Sequence, residues 1–195
     1  MSENIGRIAI FASGSGTNAE EIIKYFNKQT SASVVVVLSN NPEAYVLQRA
    51  AKFGVEALTF SRSQWKEQQV VLHWLKERQI THVVLAGFLW LVPGYLVEAF
   101  PDRIINIHPA LLPKYGGKGF YGMKVHESVK DSGDRETGIT IHIVNAHYDE
   151  GRVLFQGRCP VEETDTPDTI AAKVHQLEYK HYPVVIEQWI TDTST

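Results

Sequence analysis

Short apolar runs along the chain alternate with stretches that are apolar on one side only. RIAIFA (residues 7–12) and ASVVVVLS (Ala32–Ser39) are rich in β-branched residues and lack alternation, as expected for strands covered on both faces. Between them, after SGSGTN, Ala19, Ile22, Ile23 and Phe26 recur at i, i+3, i+4 and i+7, which is one face of a helix. Val46, Leu47, Ala50 and Ala51 predict a short second helix, VEALTF a third strand, and residues 65–75 a longer helix. HVVLAGF (residues 82–88) and RIINIH (residues 103–108) are two further buried runs. Strands and helices in this succession predict right-handed βαβ crossovers, and therefore an open, mostly parallel α/β sheet with helices on both faces.

The second half changes character. TGITIHIVNAHYDEGRVLFQGRCPV has two alternating segments about Tyr148-Asp149-Glu150-Gly151, which predicts an antiparallel pair extending the sheet. TPDTIAAKVHQL opens a last helix, with Thr166 as its N-cap and Pro167 in its first turn, and Pro183 is expected to bend or end that helix.

Composition narrows the function classes. The chain has 195 residues, 44% hydrophobic and 21% charged, enough for one sizeable core, and a single domain is expected over residues 1–195. Nineteen basic against twenty-two acidic residues give a formal charge of −3, which disfavours nucleic acid or an anionic membrane as partner. Cys159 is the only cysteine, so no internal disulfide or multi-cysteine metal site can form, and a half-buried structural thiol in a reducing compartment is expected. No run approaches the ~20 apolar residues that cross a bilayer, and MSENIGRIAIF lacks a basic start and a long apolar centre. A cytoplasmic location is the expectation; nothing in the pattern specifies an oligomeric state.

Candidate chemistry begins with INIHPALLPKYGGKGFYG. On a strand, Ile105 and Ile107 face one way while Asn106 and His108 face the other, about 7 Å apart. At the carboxyl end of a parallel strand, such a pair sits where α/β sheets gather ligands. An amide that never titrates and an imidazole that does suit a carbonyl becoming an oxyanion. A structural histidine at a strand end is the competing reading. The Pro- and Gly-rich connection that follows is either a functional loop or a surface excursion.

SGSGTN, between a strand and a helix, is either a phosphate site or a tight turn. Gly14, Gly16 and Ala19 satisfy the looser dinucleotide fingerprint, giving a Rossmann-like N-terminal half. The second strand, however, ends LSNN without the acidic residue that holds a ribose, which weakens NAD or flavin binding and leaves a lone phosphate. Glu20 and Glu21 would oppose an anion unless they point away or are compensated. Asp149, beside a glycine turn, reads as a turn residue or as a catalytic acid. His142, His147 and Glu150 make no recognised ligand spacing, so no metal is assigned, and Ser15 lacks a G-x-S-x-G elbow.

SGSGTN, VVLAGFLWLVP, INIHPALLPKYGG and HYDEGRVLFQ, in this order, resemble the folate-dependent formyltransferases over nearly the whole chain. N-x-H-P-x-x-L-P with a downstream D-x-G is the specific part. The glycine loop and the length favour the branch acting on glycinamide ribonucleotide, because the chain has room neither for an RNA-binding C-terminal domain nor for a preceding regulatory one. The resemblance implies 10-formyltetrahydrofolate as cosubstrate, with neither NAD nor metal. It implies Asn106, His108 and Asp149 as the catalytic set, His108 acting in its protonated form. Gly16, Thr17 and Asn18 would hold the substrate phosphate and Glu178 would lie near its ribose. Leu89, Trp90, Leu91, Val92 and Val144, with Asn106, would form the folate pocket, and Arg62 would meet the folate glutamate tail. It divides the domain into a phosphate-binding half (1–100) and a catalytic, folate-binding half (101–195). Trp90 replaces a commonly basic residue, and the loop over residues 114–125 is longer than usual. A non-catalytic nucleotide- or folate-sensing module on the same fold is the alternative.

Overall fold

A computed structural model of the chain describes residues 6–66 and 68–193, apart from the side chains of residues 68 and 69. The first five residues of MSENIGRIAIF and Glu67, within the expected helix over residues 65–75, lie outside the described residues.

The elements run β1 (Gly6–Phe11), α1 (Thr17–Phe26), β2 (Ala32–Ser39), α2 (Tyr45–Lys52), β3 (Glu56–Thr59), α3 (Arg62–Lys66), α4 (Gln68–Glu77), β4 (His82–Leu85), α5 (Gly94–Ala99), β5 (Ile104–His108), α6 (Met123–Ser132), β6 (Glu136–Ile143), β7 (Val153–Pro160) and α7 (Pro167–Thr193). The strands form one sheet in the order β3-β2-β1-β4-β5-β6-β7. The first five are parallel, while β6 runs antiparallel to β5 and β7 antiparallel to β6. The expected mostly parallel sheet with an antiparallel extension is therefore observed.

Alternation within each strand divides the apolar residues between two cores. Ile8, Ile10, Val37, Ile105 and Ile141 pack with Ile22, Phe26, Val174 and Ile186 of α1 and α7. Ala9, Phe11, Leu38 and Ile104 pack on the other face with Trp65, Leu75 and Leu96 of α3, α4 and α5. Helices cover both faces because both carry apolar residues. Strand order reverses direction between β1 and β4, and at such a switch the loops leaving the two strands part to leave a crevice beyond their carboxyl ends.

Three features depart from the sequence reading. Pro183 does not end α7, which continues to Thr193. The missing N–H removes one hydrogen bond, but Tyr182, Val185, Ile186, Trp189 and Ile190 on either side are buried, and that packing keeps the chain helical. The long loop is shorter than residues 114–125 suggest, since α6 starts at Met123; its buried stripe of Val125, His126 and Val129 includes a polar residue, which obscured the period. Helix α5 is only six residues long and too short to show a period. Thr166 does cap α7, its Oγ1 accepting the Thr169 N–H at 3.3 Å.

Candidate active site

The crevice at the strand ends has a volume of about 560 Å³ and draws on both halves of the chain. One end is the turn leaving β1. Gly16 adopts φ +75°, and a Cβ there would lie 2.8 Å from the Val46 Cα and closer still to its side chain, so α2 packs onto the turn only because position 16 is glycine. The Val46 N–H donates to the Gly14 carbonyl at 3.1 Å and Arg49 Nε to the Ser15 carbonyl at 2.8 Å, which fixes the turn from behind. No side chain caps α1, so the first N–H groups of the helix remain available where Gly16, Thr17 and Asn18 line the crevice. The acidic first turn is compensated: Glu20 binds Arg49 and Lys24, and Glu21 binds Lys24.

Asn18 Nδ2 donates to Glu178 Oε2 at 2.9 Å, so two residues 160 positions apart share one corner of the crevice. Glu178 is buried, and burial pushes its carboxyl up to about 7 although the Asn18 hydrogen bond acts the other way.

At the other end, β5 presents Asn106 and His108 on one face. Their antiparallel partners on β6 are His142 and Thr140. Cross-strand partners point to the same side, so the four residues form one surface. A β-bulge between Ile141 and His142 alters the local pleat beside the site. His142 Nδ1 lies 3.0 Å from the Ile143 carbonyl and so carries the proton; Nε2 then accepts from Asn106 Nδ2 at 3.3 Å. That bond uses one amide hydrogen and leaves the second for a ligand oxygen.

Asp149 arrives from the turn between β6 and β7. Its φ is +57°, a conformation uncommon outside glycine, and Gly151 packs so closely that a Cβ would lie 1.6 Å from the Ile143 carbonyl. The turn reading of Asp149 therefore applies, and the turn also brings its carboxylate to the crevice. Oδ2 lies 3.6 Å from His108 Nδ1 and accepts the Gly117 N–H at 2.9 Å, while Oδ1 lies 3.5 Å from His142 Nε2. Burial pushes this carboxyl up, but the Gly117 N–H, with His142 and His108 when they carry a proton on the nitrogen facing it, outweighs that and holds the group below its ordinary range.

His108 Nε2 donates to the Tyr115 carbonyl at 2.7 Å, leaving Nδ1 as the open proton site. Burial lowers its pKa more than Asp149 and the Tyr115 carbonyl raise it, so the ring is neutral near pH 7. Burial thus works against the protonated form expected of His108, and the nearby Asp149 carboxylate works for it.

The long wall follows β4, where residues 86–92 leave the sheet. Leu89 and Leu91 are exposed in the crevice, Trp90 is half-buried, Val92 is buried, and Val144 stands on the same wall. Trp65 Nε1 donates to the Leu91 carbonyl at 3.1 Å, and Leu89 N–H to Ser13 Oγ at 3.1 Å, which fix the backbone of the wall. Arg62 does not line the crevice; its guanidinium lies over the Trp90 ring, 4.8 Å from the centroid. Among the described residues no group of three or more His, Cys, Asp or Glu is placed to hold a metal ion.

The formyl transferase family pattern matches residues 6–186. The chain belongs to the formyl transferase family. Among relatives of this formyl transferase is the chloroplastic phosphoribosylglycinamide formyltransferase of Arabidopsis thaliana, 39% identical over 186 residues, covering 92% of this chain and 64% of that protein. The phosphoribosylglycinamide formyltransferase of Bacillus subtilis is 33% identical and covers 93% of both chains. The crystal structure of glycinamide ribonucleotide transformylase 1 from Symbiobacterium toebii superposes with a TM-score of 0.88 at 32% identity, covering 96% of this chain and 89% of that one. The chain thus spans somewhat less than two thirds of the length of its plant relatives.

Proposed function

We propose that this formyl transferase moves the formyl group of 10-formyltetrahydrofolate to the amine of glycinamide ribonucleotide, giving N-formylglycinamide ribonucleotide in purine biosynthesis. The observation that carries it is the convergence of Asn106, His108 and Asp149 at one end of a crevice whose other end is the Gly16–Asn18 turn with Glu178. The relatives and solved structures named above support the choice of substrates.

Each site has a chemical fit. The helix start at Gly16, Thr17 and Asn18 offers N–H groups to a phosphate, and Glu178 offers a carboxyl to ribose hydroxyls. The apolar wall of Leu89, Trp90, Leu91, Val92 and Val144 suits a pterin ring, with Arg62 beyond Trp90 as a cation for the glutamate tail. The cosubstrate supplies an electrophilic formyl carbonyl, whose oxygen gains negative charge as the amine attacks. The free amide hydrogen of Asn106 is an uncharged donor to that oxygen. Neutral His108 accepts a proton at Nδ1, where Asp149 stabilises the imidazolium, and can return it to the departing nitrogen. Holding both substrates in one crevice supplies proximity, and no residue needs to become acylated.

In this reading residues 1–195 act as one domain. The remaining expectations, namely a cytoplasmic protein that uses no metal or NAD and takes small molecules rather than nucleic acid or membrane as partners, belong to the same proposal. Among the described residues, no helix is long and apolar enough to cross a membrane. A two-substrate assay tests the reaction: formyl transfer from 10-formyltetrahydrofolate to glycinamide ribonucleotide is expected without ATP or added metal. A requirement for ATP and formate would reject it.

A further inference from the structure

A phosphate bound at the start of α1 meets backbone dipoles worth only about half a charge, so a dianion needs a cation as well. The cations nearest that turn are engaged. Arg49 is held by Glu20 and the Ser15 carbonyl, and Lys24 by Glu20 at 2.8 Å and Glu21 at 2.9 Å. Among the described residues, and histidines apart, the titratable groups lining the crevice are Asp149, Glu178, the two tyrosines 121 and 148, and a single basic residue, Lys118. Beyond the histidines and the N–H groups of the turn, that lysine is the basic group among the described lining residues that could meet an entering phosphate.

Lys118 also differs from the other lysines of its segment. Lys114 pairs with Asp134 at 2.9 Å, Lys124 lies 4.9 Å from the centroid of the Tyr121 ring, and Lys130 donates to the Glu163 carbonyl at 2.9 Å. Among the described residues the Lys118 ammonium has no hydrogen-bond or ion-pair partner. Gly117 and Gly119 flank it at φ +88° and +100°, and a Cβ at either would meet nothing within 4 Å, so these glycines serve backbone freedom and not close packing. Beyond that loop, in the first turn of α6, His126, 2% exposed, leaves Nδ1 without a partner while lining the crevice, a second polar group there with an unused bond.

We propose that Lys118 is the cation that receives the phosphate of the amine substrate, reaching across the crevice toward the Gly16–Asn18 turn, and that it sets the preference for a phosphorylated over an unphosphorylated amine. The inference rests on the formyl-transfer reading. A lysine suits the task, being a compact charge with rotatable donors on a flexible stem. Gly117, next to it, donates to Asp149, so drawing Lys118 inward acts on the backbone that holds the catalytic carboxylate.

Two measurements on the full chain decide the matter. In steady-state kinetics with glycinamide ribonucleotide and its dephosphorylated riboside, Lys118→Ala should raise KM for the ribonucleotide roughly tenfold or more and shrink the preference for it over the riboside by a similar factor. Lys118→Arg should restore most of both. An unchanged preference would overturn the proposal. So would a KM increase confined to 10-formyltetrahydrofolate, which would assign Lys118 to the folate carboxylates. Calorimetric titration with ribose 5-phosphate needs no turnover, and Lys118→Ala should bind it roughly tenfold more weakly. Equal affinity for both proteins would overturn the proposal. If the wild type transfers no formyl group, the functional reading fails, and this titration still decides the role of Lys118.

Discussion

His108 Nδ1 and Asp149 Oδ2 face each other at 3.6 Å, between side chains only 5% and 11% exposed. The gap is too long for a hydrogen bond, yet the charge of the carboxylate is felt across it because little water screens the pair. The two residues pull the imidazole in opposite senses: its own burial favours the neutral ring, and the carboxylate favours the charged one.

Asp149→Asn removes the upward pull and leaves the burial. The His108 pKa should therefore fall further, and the limb of the pH–rate profile that reports it should move to lower pH, with turnover reduced because the imidazolium loses its counter-charge. Titration of the labelled ring by NMR reads the first effect directly. An unchanged His108 pKa would show that the carboxylate acts on something else.

Asn106→Ala deletes the amide that His142 holds by one of its hydrogens. Loss of one oxyanion donor costs roughly a hundredfold or more in turnover. The loss should fall on kcat while KM for both substrates changes little, because the oxygen gains its charge only during reaction. A variant with near-normal kcat would remove Asn106 from this role.

Thr140 is fully buried, and its hydroxyl joins three segments. It donates to the Ala110 carbonyl at 2.7 Å, and accepts from the Leu112 N–H at 3.0 Å and from Gln156 Nε2 at 2.9 Å. Valine has nearly the same shape but satisfies none of these groups. Thr140→Val should cost about 2–4 kcal/mol in urea unfolding. It should also lower turnover, since the segment it anchors leads to the Tyr115 carbonyl that fixes the His108 tautomer. Thr140→Ser, which keeps the hydroxyl, should recover most of both losses.

Residues whose pattern repeats were legible before the fold was known. The β-branched runs of β1 and β2 and the i, i+3, i+4 apolar face of α1 follow from periodicity, and the same-face placement of Asn106 and His108 follows from strand alternation alone. Groups whose importance depends on what stands across the sheet were not. His142 and Thr140 lie on the same alternating face of β6, but only the antiparallel register sets them opposite Asn106 and His108. A signal was available in TGITIHI, where Thr140 and His142 interrupt an apolar run two residues apart, as Asn106 and His108 do in RIINIH. The Tyr115 carbonyl and the Gly117 N–H carry no side-chain signal. The balance that keeps His108 neutral depends on burial, which no local pattern encodes.

Arg62 rests on the face of Trp90, and beneath them Phe60, Trp65 and Phe88 form an aromatic cluster. A guanidinium over an indole is held by roughly 0.5–1 kcal/mol at an exposed site, with its edge free for a carboxylate. Trp90→Ala should therefore raise KM for a polyglutamylated folate by a few-fold, in line with that energy, and Arg62→Ala by at least as much. In both variants KM for the ribonucleotide should hold steady. Equal folate KM values for wild type and Arg62→Ala would separate Arg62 from the tail.

Glu178 is a carboxyl placed where stability disfavours it. Its folded pKa, about 7, lies above the ordinary 4.5, because burial penalises the charge. Below the ordinary value the group is neutral in both folded and unfolded chains and costs nothing. As pH rises from about 4.5 to about 7 the unfolded chain ionises first, so stability falls, and above that window the cost is constant at up to about 3 kcal/mol. Glu178→Gln keeps an oxygen for the Asn18 amide and carries no charge. It should match the wild type in urea at pH 4 and exceed it at pH 8 by up to about 3 kcal/mol. Its affinity for the ribonucleotide should weaken, because a carboxylate accepts two neighbouring hydroxyls where an amide oxygen already bound to Asn18 accepts one less. Greater stability with a higher KM would mean that the buried charge is retained for the substrate, as at other sites where function and stability oppose each other. A variant no more stable than wild type at pH 8 would mean that Glu178 is not under the burial penalty its position implies.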